Sequence, residues 1–263
     1  MNHQGRKREN RKGVVVIVDD RRVELSEISS QPDAKSISLW KLDHSSIDLS
    51  QIVTPTLEKL KLRNADLTHI DLSPLSICRE LSTLEIDGNK GLMNLDLGPL
   101  SSCTKLSMLN VSMNSLKDID LSPFKGHSGL AVLNVTMNDI EKMNLQALRE
   151  CSNLQVLWLE YNPLDLREAP DGRGCISGID FAGFDRLEKL RVITIGKIAH
   201  YFDTSITTDF VLDITDLVSC PNLRTFDYDY DDVTLLAHLP KYETRLPPVF
   251  KRWKDNIVWP GYR

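Results

Sequence analysis

The sequence predicts an α/β solenoid, a stack of short repeating units in which each unit adds one strand to a parallel sheet. Two observations predict this fold. A frame of the form L-x-x-L-x-[L/I/V] recurs along the chain, and a second signature, close to I-D-L-S-P-L, lies between successive copies. Because a unit this short cannot bury its apolar side alone, the units must pack on one another.

The frame supplies the strand of each unit. Its first Leu stands at positions 57, 81, 106, 130 and 154, at intervals of 24 or 25 residues. A weaker copy, ISLWKL, starts at Ile37, which would put Lys41 at its outward fifth position, and two degenerate copies start at Leu190 and Leu223. Alternation along a strand turns the fourth and sixth positions inward and the fifth and seventh outward.

An Asn follows four copies of the frame in the same register. Buried at a turn, its amide could satisfy backbone groups of the neighbouring unit. These residues are Asn89, Asn114, Asn138 and Asn162.

The second signature forms the return segment of each unit. In IDLSPL, residues 70–75, we expect the apolar side chains to point inward and Asp71 to point outward. Ser73 is expected to cap a short helix or 3-10 segment that continues through Pro74. The outward Asp recurs as a column, for which turn and cap geometry is one explanation and an ion-binding ladder the other. Its members are Asp48, Asp71, Asp96, Asp120, Asp180 and Asp213.

Four of the five cysteines lie three residues before the first Leu of a frame, and His127 occupies that slot in one intervening unit. We expect these thiols to be small buried side chains that stack from unit to unit, with metal ligation and disulfides as alternatives. Without close cysteine pairs or a secretory segment, the sequence favours a reducing, cytoplasmic location. The four are Cys78, Cys103, Cys151 and Cys220.

With its Asn, the frame L-x-x-L-x-L-x-x-N resembles leucine-rich repeat proteins over residues 35–235, about eight units. The IDLSPL segment and following Cys resemble an archaeal-type variant of that family. The resemblance implies a right-handed horseshoe with a parallel concave sheet, short helical or 3-10 convex segments, and protein binding by the concave face or one edge. It implies no catalytic residues.

The ends of the chain differ from the repeats. Residues 1–12 carry five Lys or Arg against one Glu and predict a disordered basic tail. Residues 13–34 predict an N-terminal hairpin cap with its turn at Asp19–Arg22. Residues 236–263 predict a C-terminal cap and tail.

The C-terminal segment contains a predicted helix that starts near Pro248. Phe250, Trp253 and Ile257 would share one face of it. That face could dock on the last unit, or the helix could detach and bind a partner.

Two units carry extra residues after the strand, at 163–178 and 196–209. Both insertions should emerge from the same edge of the solenoid. Loops held on a rigid scaffold are common recognition sites, but simple tolerance of insertions explains them equally well.

The outward positions predict a partner-binding surface on the sheet. Trp158 and Tyr161 are its predicted centre, because exposed aromatic residues are enriched at interfaces. The alternative is that the insertion at 163–178 covers Trp158. The predicted set is Lys61, Arg63, Glu85, Asp87, Asn110, Asn134, Trp158, Glu160 and Tyr161.

Other functions find less support. The 263 residues are 41% hydrophobic and 26% charged, a composition typical of a folded soluble domain. The net charge is −5, so the chain lacks the excess of cations that nucleic-acid binding favours. The longest aliphatic run, VVVIV, is too short to span a membrane. Asp227, Asp229 and Asp231 are weak calcium candidates that lack the Gly and Glu of a calcium loop.

The predicted function is therefore that of a non-catalytic module, a monomer without a cofactor, that binds a protein or peptide through the concave face and the insertion-bearing edge. No catalytic motif is present in the sequence. The alternative is an ion- or polyanion-binding protein that uses the Asp columns or the basic N-terminal end.

Overall fold

The fold is described from a computed structural model, in which the placement of most of the repeat region is defined. The described residues are 15–42, 44–164, 166–168, 174–176, 179–195, 210–227, 233–238 and 246–259. The predicted basic tail and the insertion at 196–209 lie outside them.

Short strands recur along the described chain. They are β1 (Val15–Val18), β2 (Arg21–Val23), β3 (Ser36–Trp40), β4 (Lys59–Arg63), β5 (Thr83–Asp87), β6 (Met108–Asn110), β7 (Asp118–Ile119), β8 (Val132–Asn134), β9 (Lys142–Met143), β10 (Val156–Trp158), β11 (Leu166–Glu168), β12 (Gly174–Ile176), β13 (Val192–Thr194), β14 (Phe210–Asp213), β15 (Thr225–Asp227), β16 (Val233–Leu236) and β17 (Ile257–Val258).

The helical segments that the structure describes are all short 3-10 helices. They span Leu25–Ser30, Leu49–Gln51, Ser73–Ile77, Gly98–Ser102, Ser122–Phe124, Gln146–Glu150, Phe184–Arg186, Leu217–Ser219 and Pro248–Trp253.

A ten-stranded sheet holds the repeats together in the order β15-β13-β10-β8-β6-β5-β4-β3-β1-β2. From β3 to β15 every pairing is parallel, and the fourth frame positions lie opposite one another, as in Leu84 with Leu109 and Leu133 with Leu157. These leucines are fully buried. The predicted solenoid with a continuous apolar core is confirmed.

The predicted register of the first, weak copy is wrong. In the structure Ile37 pairs with Leu60, and Ser38 pairs with Lys61. The unit therefore reads from Ala34, which is buried in the first-Leu slot, and Lys41 lies at the strand exit. The wrong register was predicted because Trp40 and Leu42 are apolar and also fit the inward fourth and sixth positions of a frame that starts at Ile37.

The return segments form 3-10 helices, but the predicted Ser73 cap is wrong. The helix already includes Ser73, and the carboxylate of Asp71 accepts a hydrogen bond from the Ser73 backbone N–H at 2.8 Å. A short acidic side chain two residues before the N–H is well placed for this turn. The turn explanation of the Asp column is confirmed, because the contact recurs unit after unit. The remaining pairs are Asp48–Ser50, Asp96–Gly98, Asp120–Ser122, Asn144–Gln146, Asp180–Ala182 and Asp213–Thr215.

The cysteine column packs as predicted. Cys78, Cys103, Cys151 and Cys220 are buried and reduced, and each thiol points at a carbonyl oxygen of the preceding unit, 3.1–3.4 Å away. His127 fills the same slot, with Nε2 3.1 Å from the carbonyl oxygen of Cys103. These residues therefore connect neighbouring units.

The Asn residues at the ninth frame position also link units, as predicted. The Asn138 amide donates to the carbonyl oxygens of Val111 and Val135, both at 2.9 Å, and its Oδ1 accepts from the Leu116 N–H at 3.1 Å. Ala65 holds this position in an earlier unit, and its N–H donates to Asn89 Oδ1.

An N-terminal hairpin lies where the sequence predicts one. β1 pairs antiparallel with β2 and with β3. Its turn is shorter than predicted, because Asp19 and Asp20 alone connect the strands, both with positive φ.

At the other end, the helix that starts at Pro248 packs on the last strand of the sheet. Phe250 is fully buried with its ring 5.0 Å from that of Phe226, and Arg252 donates to the Phe226 carbonyl oxygen at 3.1 Å. Docking, rather than detachment, is the state that the structure shows. Ile257 lies in β17 and not on the helix, which corrects the predicted length of the helix.

A second sheet was not predicted. It contains five strands in the order β11-β12-β14-β16-β17. The insertion at 163–178 contributes the antiparallel pair β11 and β12, and β12 pairs in parallel with β14. This insertion is thus partly regular structure rather than a loop alone.

Candidate protein-binding surface

The open sheet face is the side of the ten-stranded sheet that faces away from the core. It carries the third and fifth positions of the frames in β4, β5, β6, β8, β10, β13 and β15, and the seventh positions of the first five of these frames. The described fourth and sixth positions are buried on the other side. All nine predicted partner-binding residues lie on this face or, in the case of Tyr161, at its edge.

The N-terminal part of the open sheet face is a network of ion pairs. Lys61 Nζ lies 2.9 Å from a carboxylate oxygen of Glu85, and Arg63 Nε lies 2.9 and 3.2 Å from the two carboxylate oxygens of Asp87. Arg63 Nε is also 3.7 Å from Glu85. Opposite charges on neighbouring parallel strands therefore neutralise one another.

The carboxylates of this network are buried. Asp87 is 4% exposed and Glu85 is 7% exposed. Burial raises the pKa of Asp87, although the neighbouring Arg63 guanidinium opposes that change. The same pair raises the pKa of Arg63, because its hydrogen bond to Asp87 favours the charged guanidinium. The sequence predicts both acids as contacts for a partner, whereas in the structure both are buried and paired with Lys61 and Arg63.

The central part of the face is uncharged apart from Glu160. Asn110 Oδ1 accepts a hydrogen bond from the Ser112 N–H at 3.1 Å, and Asn134 Oδ1 accepts from the N–H and hydroxyl of Thr136. The two amides are therefore held in place before any partner arrives.

An apolar stripe runs beside these amides and was missed in the sequence. It consists of four half-buried residues at the third frame position: Met108, Val132, Val156 and Val192. The signal was present, because alternation turns the third position outward with the fifth and seventh.

Trp158 stands at the fifth position between Asn134 and Thr194 on the adjacent strands. Its side chain is half-buried. The Thr194 hydroxyl is buried without a hydrogen-bond partner among the described residues. The alternative, in which the insertion covers Trp158, concerns the side chains of residues 165–178, which lie outside the described part of the chain.

The strands leave the sheet through a row of left-handed corners at the eighth frame position. Backbone hydrogen bonds join neighbouring corners to the next strand, as from the Met113 N–H to the Thr136 carbonyl oxygen at 2.9 Å. The corner row consists of Lys41, Asn64, Gly88, Met113, Met137 and Tyr161, with φ of 55°, 48°, 75°, 58°, 56° and 57°. The last three are exposed by 45%, 48% and 41%.

At the C-terminal end the face becomes polar again. Asp227 is exposed and lies 3.5 Å from Arg252 of the terminal helix. Asp229 and Asp231 lie outside the described residues. Among the residues that the structure describes, no three His, Cys, Asp or Glu side chains are placed to hold a metal ion. In that same part of the chain, no helix is long and apolar enough to cross a membrane.

Comparison with known proteins identifies the repeat. Residues 104–164 match the family described as Leucine rich repeat. Among solved structures, an internalin, inlF, from Listeria monocytogenes is 18% identical with a TM-score of 0.50, and the match covers 80% of this chain and 51% of that one. This chain thus spans about half of the internalin's length. Internalin C2 of the same organism is 18% identical with a TM-score of 0.45, over 80% of this chain and 85% of that one. No curated protein matches the sequence.

The family match, the parallel register and the recurring Asn and Cys contacts agree. Residues 104–164 are leucine-rich repeats, and the parallel register extends the same repeat from β3 to β15. The likeness to inlF shows the fold alone.

Proposed function

We propose that this chain is a non-catalytic interaction module that binds a protein or peptide through the open sheet face and the insertion-bearing edge. Its central section, from β6 to β13, would make the main contact. The leucine-rich repeat fold supports a protein partner, and a rigid sheet supports binding because little ordering entropy opposes it.

One observation carries the proposal. The stripe of Met108, Val132, Val156 and Val192 lies beside Trp158 in the central part of the face, where Glu160 is the one charged residue among the described outward positions. Half-buried apolar side chains on neighbouring strands form a continuous patch, and such patches mark interaction sites. The ordered amides of Asn110 and Asn134 would add specificity at its middle.

The other predicted contacts have separate roles in this proposal. Lys61 and Arg63 are partly exposed and would contact the partner at the rim of the surface, while Glu85 and Asp87 neutralise them and hold them in place. Polyanion binding has less support, because both cations already have carboxylate partners.

The test is capture of a partner from native lysate by the wild-type chain and by the double variant Trp158→Ala/Tyr161→Ala. Capture should fall at least tenfold while the melting temperature changes by less than about 3 °C. Ile77→Ala is the matched control, because Ile77 is an exposed apolar residue on a 3-10 helix of the return segment. Equal capture by all three proteins, or a large fall in melting temperature of the double variant, would contradict the proposal.

We also propose a monomeric protein in a reducing, cytoplasmic compartment. The four buried thiols support this location, since each is reduced and donates to a neighbouring carbonyl. Fractionation of cells that express the natural protein tests the compartment.

A further inference from the structure

Met113, Met137 and Tyr161 occupy corners that ordinarily suit other residues. A left-handed backbone favours Gly and Asn, which is what Gly88 and Asn64 supply in the two preceding units. Three consecutive units instead carry large apolar side chains there. Each such residue accepts backbone strain and leaves much of an apolar side chain in water.

The row is also regular in spacing. Backbone hydrogen bonds from the Met113 and Met137 N–H groups to the next strand, both of 2.9 Å, keep the corners in the register of the sheet. Neighbouring parallel strands are about 4.8 Å apart, so the first and third side chains start about 9.6 Å apart. A partner that lies along the row must therefore present apolar groups at this repeat.

An α-helix meets this repeat better than an extended strand does. Residues i, i+3 or i+4, and i+7 on one helix face are separated by about 5 Å per step and about 10.5 Å in all. Alternate residues of a strand advance by about 6.6 Å, or about 13 Å over the same three contacts. The mismatch is about 1 Å for the helix and more than 3 Å for the strand.

The charged residues near the corner row indicate which side chains a bound helix would carry beside its apolar face. Glu160 directly precedes Tyr161 and belongs to the open sheet face, and the exposed Asp139 follows Met137 by two residues. Neither carboxylate forms an ion pair with a described residue. An occupant with Lys or Arg beside its apolar face would complement both carboxylates.

We propose that the corners at Met113, Met137 and Tyr161 bind an amphipathic α-helix of a partner protein, with apolar residues at i, i+3 or i+4, and i+7 flanked by Lys or Arg. The proposal rests on the proposed function, because it names the class of partner segment and the edge where that segment lies. It adds to the open sheet face a contact that the sequence prediction of the site did not include, apart from Tyr161.

Methionine methyl NMR tests the proposal on the intact chain. The sequence has six methionines, and Met113 and Met137 report on the row, Met108 on the open sheet face and buried Met143 on the core. The probe is a designed helical peptide of about 18 residues with Leu at the stated spacing and Lys beside it. A twin with Glu in place of Lys and a twin with a central Pro are the matched peptides.

The Lys peptide should shift the Met113 and Met137 methyl signals and leave Met143 unchanged. It should bind at least about fivefold more tightly than either twin, and the double variant Asp139→Asn/Glu160→Gln should reduce that advantage over the Glu twin by about threefold or more. No shift of either corner methyl at about 1 mM peptide, or equal affinity of the Pro twin, would overturn the proposal.

Three further outcomes would contradict the proposal of a bound helix and would identify another occupant or another site. Shifts at the corner methyls that depend on protein concentration alone indicate a second copy of the chain, and shifts with zwitterionic lipid vesicles alone indicate a membrane. A shift of Met108 without Met113 or Met137 refutes the corner contact while supporting the open sheet face. Failure of the proposed function itself is read separately, from capture by the Trp158→Ala variant, which changes the open sheet face and leaves all three corners intact.

Discussion

In the two units that contribute β4 and β5, the open sheet face carries ion pairs, whereas in the three units that follow it carries amides, an apolar stripe and Trp158. The backbone is the same in both regions, with a parallel strand, a left-handed corner and a short return segment. The difference lies in what the outward side chains bind. In the first region they bind one another, and in the second many of them leave apolar surface open to water.

This contrast separates two uses of the repeat. Lys61, Arg63, Glu85 and Asp87 satisfy one another across β4 and β5, so that region can be stable without a partner. Under the proposed function, the central region would gain from a partner, because its half-buried Val and Met side chains would lose more contact with water. The proposal thus gives the first region a mainly structural role and the second a role in recognition.

The largest expected effect tests whether the stability of the central units depends on the hydrogen bonds that the ninth-position Asn side chains form between units. Asn138→Ala should lower the free energy of unfolding by about 2 to 4 kcal/mol, because it removes hydrogen bonds to buried backbone groups in two units. Urea unfolding measures it. Asn94→Ala, at an exposed Asn two units earlier in the chain, is the control and should change stability by less than about 0.5 kcal/mol. Equal effects of the two changes would show that the side-chain amide at the ninth position is dispensable. The unit with Ala65 already lacks an amide side chain at this position.

The next effect tests the ion pairs of the first region. Arg63→Ala should lower the free energy of unfolding by about 1 to 3 kcal/mol, because it leaves the buried Asp87 carboxylate without its main partner. Arg79→Ala removes an exposed Arg from a return segment and serves as the control. If Arg63→Ala were as mild as Arg79→Ala, the network would be a surface feature and the contrast between the regions would weaken.

A smaller effect compares the corners of the two regions. Met137→Gly should raise the free energy of unfolding by about 1 kcal/mol, since Gly accepts the left-handed backbone without strain. Gly88→Ala should lower it, because a Cβ there would also lie 2.4 Å from Asn64 Oδ1. Gly126→Ala isolates the backbone cost, as its φ is 70° and the nearest atom to a new Cβ is 3.8 Å away. Destabilisation by Met137→Gly would show that Met137 supports the fold rather than a partner.

The smallest effects concern pH and have opposite signs. Hydrogen bonds from the backbone N–H and hydroxyl of Ser122 lower the pKa of Asp120, so its contribution to stability is present at neutral pH and is lost as the pH falls through the folded pKa. Burial raises the pKa of Asp87, so acidification through that pKa relieves a cost of the charged form. Relative to the wild type, the free energy of unfolding of Asp120→Asn should therefore be lowest at pH 7. The free energy of unfolding of Asp87→Asn, relative to the wild type, should be lowest in acid.

Urea unfolding of the three proteins from about pH 7 to pH 3 measures these slopes, which lie in the range where Asp carboxyls titrate. Asn144 naturally occupies the equivalent turn position, so the Asp120→Asn fold itself should survive. Parallel slopes for the two variants would contradict the difference in environment.

Much of the fold could be predicted from the sequence because the 24-residue frame repeats apolar residues, Asn and Cys in fixed slots. Each slot has one packing solution, so the register of β4, β5, β6, β8, β10, β13 and β15 follows. The register of β3 could not be predicted as safely, since Trp40 and Leu42 imitate the inward positions. The second sheet also escaped prediction, because β11 and β12 lie in an insertion without the frame.

The candidate site could be predicted only in outline. Alternation gave the face and Trp158, and it would also have given Val132 and Val156 at the third position. It could not give the burial of Asp87, which depends on Arg63 of the adjacent unit. Alternation also could not predict the left-handed corners at Met113 and Met137. A positive φ there depends on how the chain leaves the strand, and a Met in the sequence does not indicate it.

The most direct test of the central claim compares one residue from each region in binding the captured partner. Titration by calorimetry should show that Trp158→Ala weakens binding at least about tenfold, and Lys61→Ala by less than about threefold. Weakening by Lys61→Ala that equals or exceeds that of Trp158→Ala would contradict the account, since recognition would then lie in the charged region.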